Sequence, residues 1–259
     1  MNTKKALKEQ GMEFDIMKEK YKEEQKKRKK LNNELEDMKG KIRVYCRIRP
    51  FSKTEASDPE RAVKCYEIID EMTLTIDPKS KMPLTFAFDA VFGEETTQED
   101  VFEDTERLVQ SAVDGYNVCI FAYGQTGSGK TFTINGTDEN PGLVPRSIVR
   151  LFEILSTMVN FEIEISVYMV EIYLSELKDL LLKPGQQAKD LEIKEDKNGR
   201  VTIKNVTIEP NIKSVEHLET IYNNGLKQRK VRSHSMNEAS SRSHLIFAVE
   251  IKCKNYHTD

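Results

Sequence analysis

Gly124-Gln-Thr-Gly-Ser-Gly-Lys-Thr131 satisfies the spacing G-x-x-x-x-G-K-[ST] and follows directly on the apolar run Val118-Cys-Ile-Phe-Ala122. The run predicts a strand, and the glycines predict a loop that turns from it into a helix starting near Lys130. The first N–H groups of a helix lack intrahelical partners, so such a loop gathers unpaired donors about one point, with the positive end of the helix dipole behind them. Phosphate is the ligand this arrangement suits. Lys130 is expected to reach the β- and γ-phosphates of a nucleoside triphosphate, and the Thr131 hydroxyl to ligate the accompanying Mg²⁺. The competing reading, an ordinary glycine-rich turn, does not account for the strand before the loop and the helix after it.

The chain around this loop has 259 residues, room for one large domain and an appendage. Its net charge of −3, with 32% charged residues, carries no field that calls for nucleic acid. The opening Met1-Asn-Thr-Lys-Lys5 has no apolar run behind its lysines, which argues against a signal peptide or membrane anchor. Cys46, Cys65, Cys119 and Cys253 are dispersed, and Cys46 and Cys119 lie in apolar strand-like runs where a small buried thiol is expected. This pattern suits a reducing, cytosolic setting.

Character changes at Gly40. Before it, a Lys/Glu-rich stretch without proline predicts one helix over 1–39; after it, proline, glycine and β-branched residues alternate with helical runs over 40–259. A heptad frame puts Leu7, Phe14, Met17, Tyr21, Leu31, Leu35, Met38 and Ile42 on one seam, interrupted by Gln10, Glu24 and Arg28. That predicts a dimerising coiled coil, the alternative being a solvated single helix rich in Lys26-Lys-Arg-Lys-Lys30.

Beyond Gly40, strands are predicted at Ile42 to Ile48, Leu84 to Phe88, Phe161 to Tyr173 and Leu245 to Ile251. Helices are predicted at Thr97 to Asp114, Pro145 to Met158 and Ser214 to Lys227, the last capped by Ser214. Leu191 to Lys194 and Val201 to Ile203 flank Asn198-Gly199, a hairpin signal. Together these elements predict an α/β fold with a mixed central sheet and helices on both faces.

A second block, Asn237-Glu-Ala-Ser-Ser-Arg-Ser-His244, crowds hydroxyls and an arginine between the last helix and the last strand. Hydroxyl oxygen is a hard ligand for Mg²⁺ and a donor to phosphate, so this block suits closure over a γ-phosphate. A polar loop with capping serines is the plainer reading.

In order and spacing, Arg47-Ile-Arg-Pro50, Phe121 to Thr133, Pro141-Gly-Leu-Val-Pro-Arg146 and Asn237 to His244 resemble the kinesin motor domain from about residue 40 onward. Leu35-Glu-Asp-Met-Lys-Gly-Lys-Ile-Arg-Val-Tyr-Cys-Arg47, where a helix enters the first strand directly, is similar to the neck of the C-terminal-motor (kinesin-14) class. The resemblance implies a P-loop NTPase that hydrolyses Mg-ATP and moves along microtubules toward the minus end. It also implies a homodimer or heterodimer through residues 1–39 and a place on the microtubule cytoskeleton of the cytoplasm, the spindle included.

It implies roles for matched positions too. Arg47, Arg49 and Pro50 would border the adenine, with Phe132 packed on it. Gly124, Gln125, Thr126, Gly127, Ser128, Gly129, Lys130 and Thr131 would cradle the phosphates. Asn237, Ser240 and Ser241 would sense the γ-phosphate, Ser241 approaching the Mg²⁺ shell beside Thr131 and Arg242 poised for an ion pair. Lys197, Arg200 and Lys204 on the hairpin match a minor track-contacting region, against a solvated hairpin face as the plainer reading.

The resemblance departs after the last strand, because the Asp-Leu-Ala-Gly-type switch II of the family has no counterpart within these residues. Asp196-Lys-Asn-Gly199 fits D-x-x-G in letters but belongs to the hairpin turn. In the family the strand leading to that segment lies in mid-sheet, so unpaired edges are expected here. Two other readings stand beside the motor: a non-motile nucleotide-binding adaptor acting through its coiled coil, and an unrelated P-loop ATPase.

Overall fold

The computed structural model describes residues 2–39, 42–60, 62–77, 82–183, 185–197, 199, 201–235 and 243–256. They fall into two compact units, Met1–Thr97 and Gln98–Asp259.

The first unit opens with α1 (Asn2–Lys39), a single helix as its Lys/Glu content dictates. Of its seam, Phe14, Met17, Tyr21, Leu31 and Met38 stand in solvent and Leu35 is half-buried, while Ile42 lies beyond the helix end. Next come β1 (Tyr45–Arg47), α2 (Lys53–Ala56), β2 (Tyr66–Asp70), β3 (Thr73–Ile76), β4 (Leu84–Ala87) and β5 (Ala90–Phe92). The strands β2, β3 and β4 form an antiparallel meander, while β1 pairs in parallel with β5, Arg47 opposite Phe92. Only three residues of the expected first strand find a partner, which is why β1 is short. Leu74 and Phe92 are buried, and the Phe92 ring meets Tyr45 edge-on at 5.9 Å.

The second unit holds α3 (Gln98–Val113), α4 (Lys130–Ile134), α5 (Leu143–Ser156), β6 (Phe161–Tyr173), β7 (Glu176–Asp179), β8 (Glu192–Glu195), β9 (Val201–Lys204), α6 (Val215–Ser235) and β10 (Ser243–Asn255). The long β6 and β10 pair antiparallel over their whole length, Phe161 opposite Asn255 and Tyr173 opposite Ser243, with β7 on the other edge of β6. Alternation along β6 drives Ile165, Val167 and Met169 inward, where they meet Ile148, Leu151 and Leu155 of α5 and Leu218 and Ile221 of α6. Burying each such side chain contributes about 1.5–3 kcal/mol. Ser214 caps α6 by accepting from the His217 N–H at 3.2 Å. Across the β8–β9 hairpin Glu195 stands opposite Val201, and Gly199 between the two strands has φ 77°.

Both parallel and antiparallel ladders are present, but among the described residues they form separate sheets rather than one continuous sheet. The expected strand at Val118–Ala122 is not a strand. Among the described residues no ladder pairs with it, and Phe121 and Tyr123 next to it are 79% and 95% exposed. Without a neighbouring strand an apolar run has nothing to order its amides. For the same reason Cys119 is exposed, where a buried thiol was expected; Cys46 is half-buried, and burial pushes its thiol up. Among the described residues no helix is long and apolar enough to cross a membrane.

Candidate functional site

The loop from Gly124 to Thr131 has the backbone that its glycines permit. Gly127 and Gly129 stand at φ 81° and 95°, and Gly129 is the residue on which α4 begins. A side chain at either would force a left-handed conformation that costs about 1–2 kcal/mol. A Cβ at Gly124 would lie 2.5 Å from Ser128 Oγ, a hydroxyl that can turn aside, so it is the φ of 155° more than space that favours glycine there. The Ser128 N–H returns to Gln125 O at 3.2 Å, closing the turn around Thr126 and Gly127.

Lys130 folds over this turn and donates from Nζ to Gly124 O and Gln125 O, both at 2.8 Å. The ammonium therefore sits above the loop, solvated by two neutral carbonyls where an anion would bind more strongly. That arrangement fits a phosphate ligand. Thr131, exposed in the first turn of α4, adds a hydroxyl at the same end. Among the described residues no group of three His, Cys, Asp or Glu side chains could hold a metal ion.

α4 is shorter than the motif led one to expect. Asn135 caps it, and Gly136 bridges to Pro141 before α5 starts at Leu143. A helix of five residues has little macrodipole, so the loop amides and Lys130 supply most of its attraction for an anion. Packing is tight at the far end of α4, where a Cβ at Gly142 would lie 2.6 Å from Ile134 O. Phe132 is 43% exposed, and its carbonyl accepts from Gln98 Nε2 at 2.6 Å.

Arg47, Arg49 and Pro50 belong to the first unit. Arg47 is half-buried at the end of β1, its Nη2 3.4 Å from Thr96 O, and burial lowers its pKa. Arg49 grips Glu55 with both nitrogens, Nη1 to Oε2 and Nη2 to Oε1, each at 2.8 Å, and Nη1 also meets Pro50 O at 3.0 Å. Glu55 in turn accepts from the Ser52 N–H at 2.7 Å while Ser52 Oγ caps α2. This reciprocal capping box fixes the carboxylate that holds the guanidinium.

Asn237, Ser240, Ser241 and Arg242 lie outside the described residues, as does Arg200. The segment 236–242 is bracketed by α6 and β10. Lys197 and Lys204 stand exposed on the hairpin, and Lys26 to Lys30 on α1.

Residues 47–259 match the family model of the kinesin motor domain. The chain belongs to the kinesin motor domain family. Kinesin-like protein KIN-14I of Oryza sativa subsp. japonica is 47% identical over 257 residues, which are 99% of this chain and 20% of that protein. Kinesin-like protein KIN-14E of Arabidopsis thaliana is 49% identical over 251 residues, 96% of this chain and 20% of that protein. The solved C-terminal motor and motor homology domain of Kar3Vik1, fused to a synthetic heterodimeric coiled coil, superposes with a TM-score of 0.85 at 32% identity, covering 98% of this chain and 66% of that one. The chain thus spans about a fifth of the length of the curated kinesin-14 relatives it matches.

Three residues of this kinesin head escaped the sequence reading. Gln98 and Tyr222 both bind α4 from other helices, and nothing in a single sequence marks such long-range partners. Glu55 was legible, since Ser52-Lys-Thr-Glu55 is a capping-box sequence at a helix start.

Proposed function

We propose that the chain is the ATP-binding head of a microtubule-associated kinesin of the minus-end-directed kinesin-14 class, coupling Mg-ATP hydrolysis to movement along the track. The observation that carries this reading is Lys130 Nζ held above the glycine turn by Gly124 O and Gln125 O. The family match and the kinesin-14 relatives support it.

In this reading residues 1–39 are a coiled-coil neck helix and 40–259 the N-terminal part of a kinesin-like motor domain. The exposed apolar seam of α1 supports pairing with a second helix, in a homodimer or heterodimer. The amides of Gly124 to Thr131 and the Lys130 ammonium bind the phosphates, and the Thr131 and Ser241 hydroxyls would hold the Mg²⁺. The family resemblance assigns Arg47, Arg49, Pro50 and Phe132 to recognition of the adenine. Asn237, Ser240 and Ser241 sense the γ-phosphate, while Arg242 is poised for an ion pair. Bound Mg²⁺ supplies charge neutralisation during phosphoryl transfer to water, a reaction that asks proteins chiefly for positioning and electrostatic stabilisation.

Hydrolysis by the 259-residue chain, measured with and without polymerised microtubules, tests this. The motor reading expects turnover that rises with tubulin concentration. Tight Mg-ATP binding with turnover unmoved by microtubules would replace it with the nucleotide-binding adaptor.

A further inference from the structure

Lys130 and Thr131 stand in the first turn of a helix too short to sustain itself. α4 spans five residues, and isolated helices of that length do not persist in water. Its placement must come from tertiary contacts, and buried side chains hold its far end. Gln98, 4% exposed at the start of α3, donates to Phe132 O. Tyr222 of α6, also 4% exposed, donates its hydroxyl to Asn135 Oδ1 at 2.7 Å. Asn135 is the cap of α4, and its own N–H closes on Thr131 O at 2.8 Å. The Tyr222 ring lies 4.8 Å from that of Phe247 on β10, tilted by 59°. One side chain therefore ties the end of α4 to both elements that bracket residues 236–242.

We propose that Tyr222 is a positioning residue for nucleotide binding, acting through Asn135 to hold Lys130 and Thr131 in place. The inference rests on the reading of Gly124 to Thr131 as a nucleotide site. A core residue at this position needs only the ring, and phenylalanine would supply it. The hydroxyl instead reaches a half-buried polar cap one and a half turns from the phosphate-binding lysine. Burial pushes the Tyr222 phenol up to about 12, so it remains a donor at every working pH.

The test is a double-mutant cycle on the affinity of the 259-residue chain for Mg-ATP, read with a fluorescent ATP analogue well below each variant's melting temperature. Tyr222→Phe and Asn135→Ala are each expected to weaken binding about three- to tenfold, the value of one intramolecular hydrogen bond. The double variant should lose no more than the larger single loss. A merely structural tyrosine would lower the melting temperature and leave affinity in the cold unchanged. Unchanged affinity in Asn135→Ala, or losses that simply add, overturns the proposal, and Asn135→Ala decides the matter alone should Tyr222→Phe not fold. Lys130→Ala runs in parallel. If that variant loses binding while Tyr222→Phe and Asn135→Ala do not, only the positioning role fails; if it retains wild-type affinity, the nucleotide site fails and the positioning role with it.

Discussion

Arg229 of α6 donates from Nε to Glu171 Oε1 on β6 at 2.8 Å, and from Nη2 to Ser243 Oγ on β10 at 2.7 Å. The Glu171 side chain is 5% exposed, so the pair locks the end of the helix to the two long strands from inside the protein. Removing only the arginine strands a buried carboxylate, which costs about 3–5 kcal/mol. Arg229→Met is therefore expected to destabilise the chain by about 3 kcal/mol in urea unfolding, and Arg229→Met with Glu171→Leu to recover most of that loss. Equal instability of the single and double variants would mean that packing, not charge, dominates here.

Gly225 sits in the interior of α6 against Met169, which is fully buried on β6. A Cβ there would fall inside the van der Waals shell of Met169 Sδ. In a free helix Gly→Ala stabilises by about 1 kcal/mol, but overpacking a filled core costs about 1–3 kcal/mol. The second effect should win, so Gly225→Ala lowers the unfolding midpoint in the wild-type chain. In a Met169→Ala background the sign should reverse, because the added methyl then enters vacated space.

The Arg49 guanidinium and the Ser52 amide hold the Glu55 carboxyl well below its ordinary value of 4.5. A carboxyl with a depressed folded-state pKa stabilises fully above its unfolded value and loses that contribution as pH falls toward the folded one. Melting temperatures of wild type and Glu55→Gln should thus differ at pH 7 and converge as pH drops below about 4. Because the pair is at the surface, the difference at pH 7 should also shrink in high salt.

Legibility in the sequence followed the range of the interaction. The capped helix α6, the amphipathic α3 and α5, and the β-branched β6 were readable because local pattern and burial agree in them. The run Val118–Ala122 failed for a physical reason: an apolar sequence specifies a strand only where another strand accepts its amides, and among the described residues none does. The short strands β2, β3 and β5 were missed because each is three to five residues whose pairing, not composition, defines it. At the site, the glycine positions and Lys130 were visible as a motif. The clamps from Gln98 and Tyr222 were not, since they join residues 34 and 87 positions apart.

The central claim is that Lys130 and the loop it covers bind the phosphates of ATP. Titration of wild type and Lys130→Ala with a fluorescent ATP analogue in Mg²⁺ tests it most directly, with circular dichroism to verify that both are folded. Loss of a charge-assisted hydrogen bond to phosphate predicts affinity about ten- to a hundredfold weaker in the variant. A folded Lys130→Ala chain that binds the analogue as tightly as wild type would contradict the account.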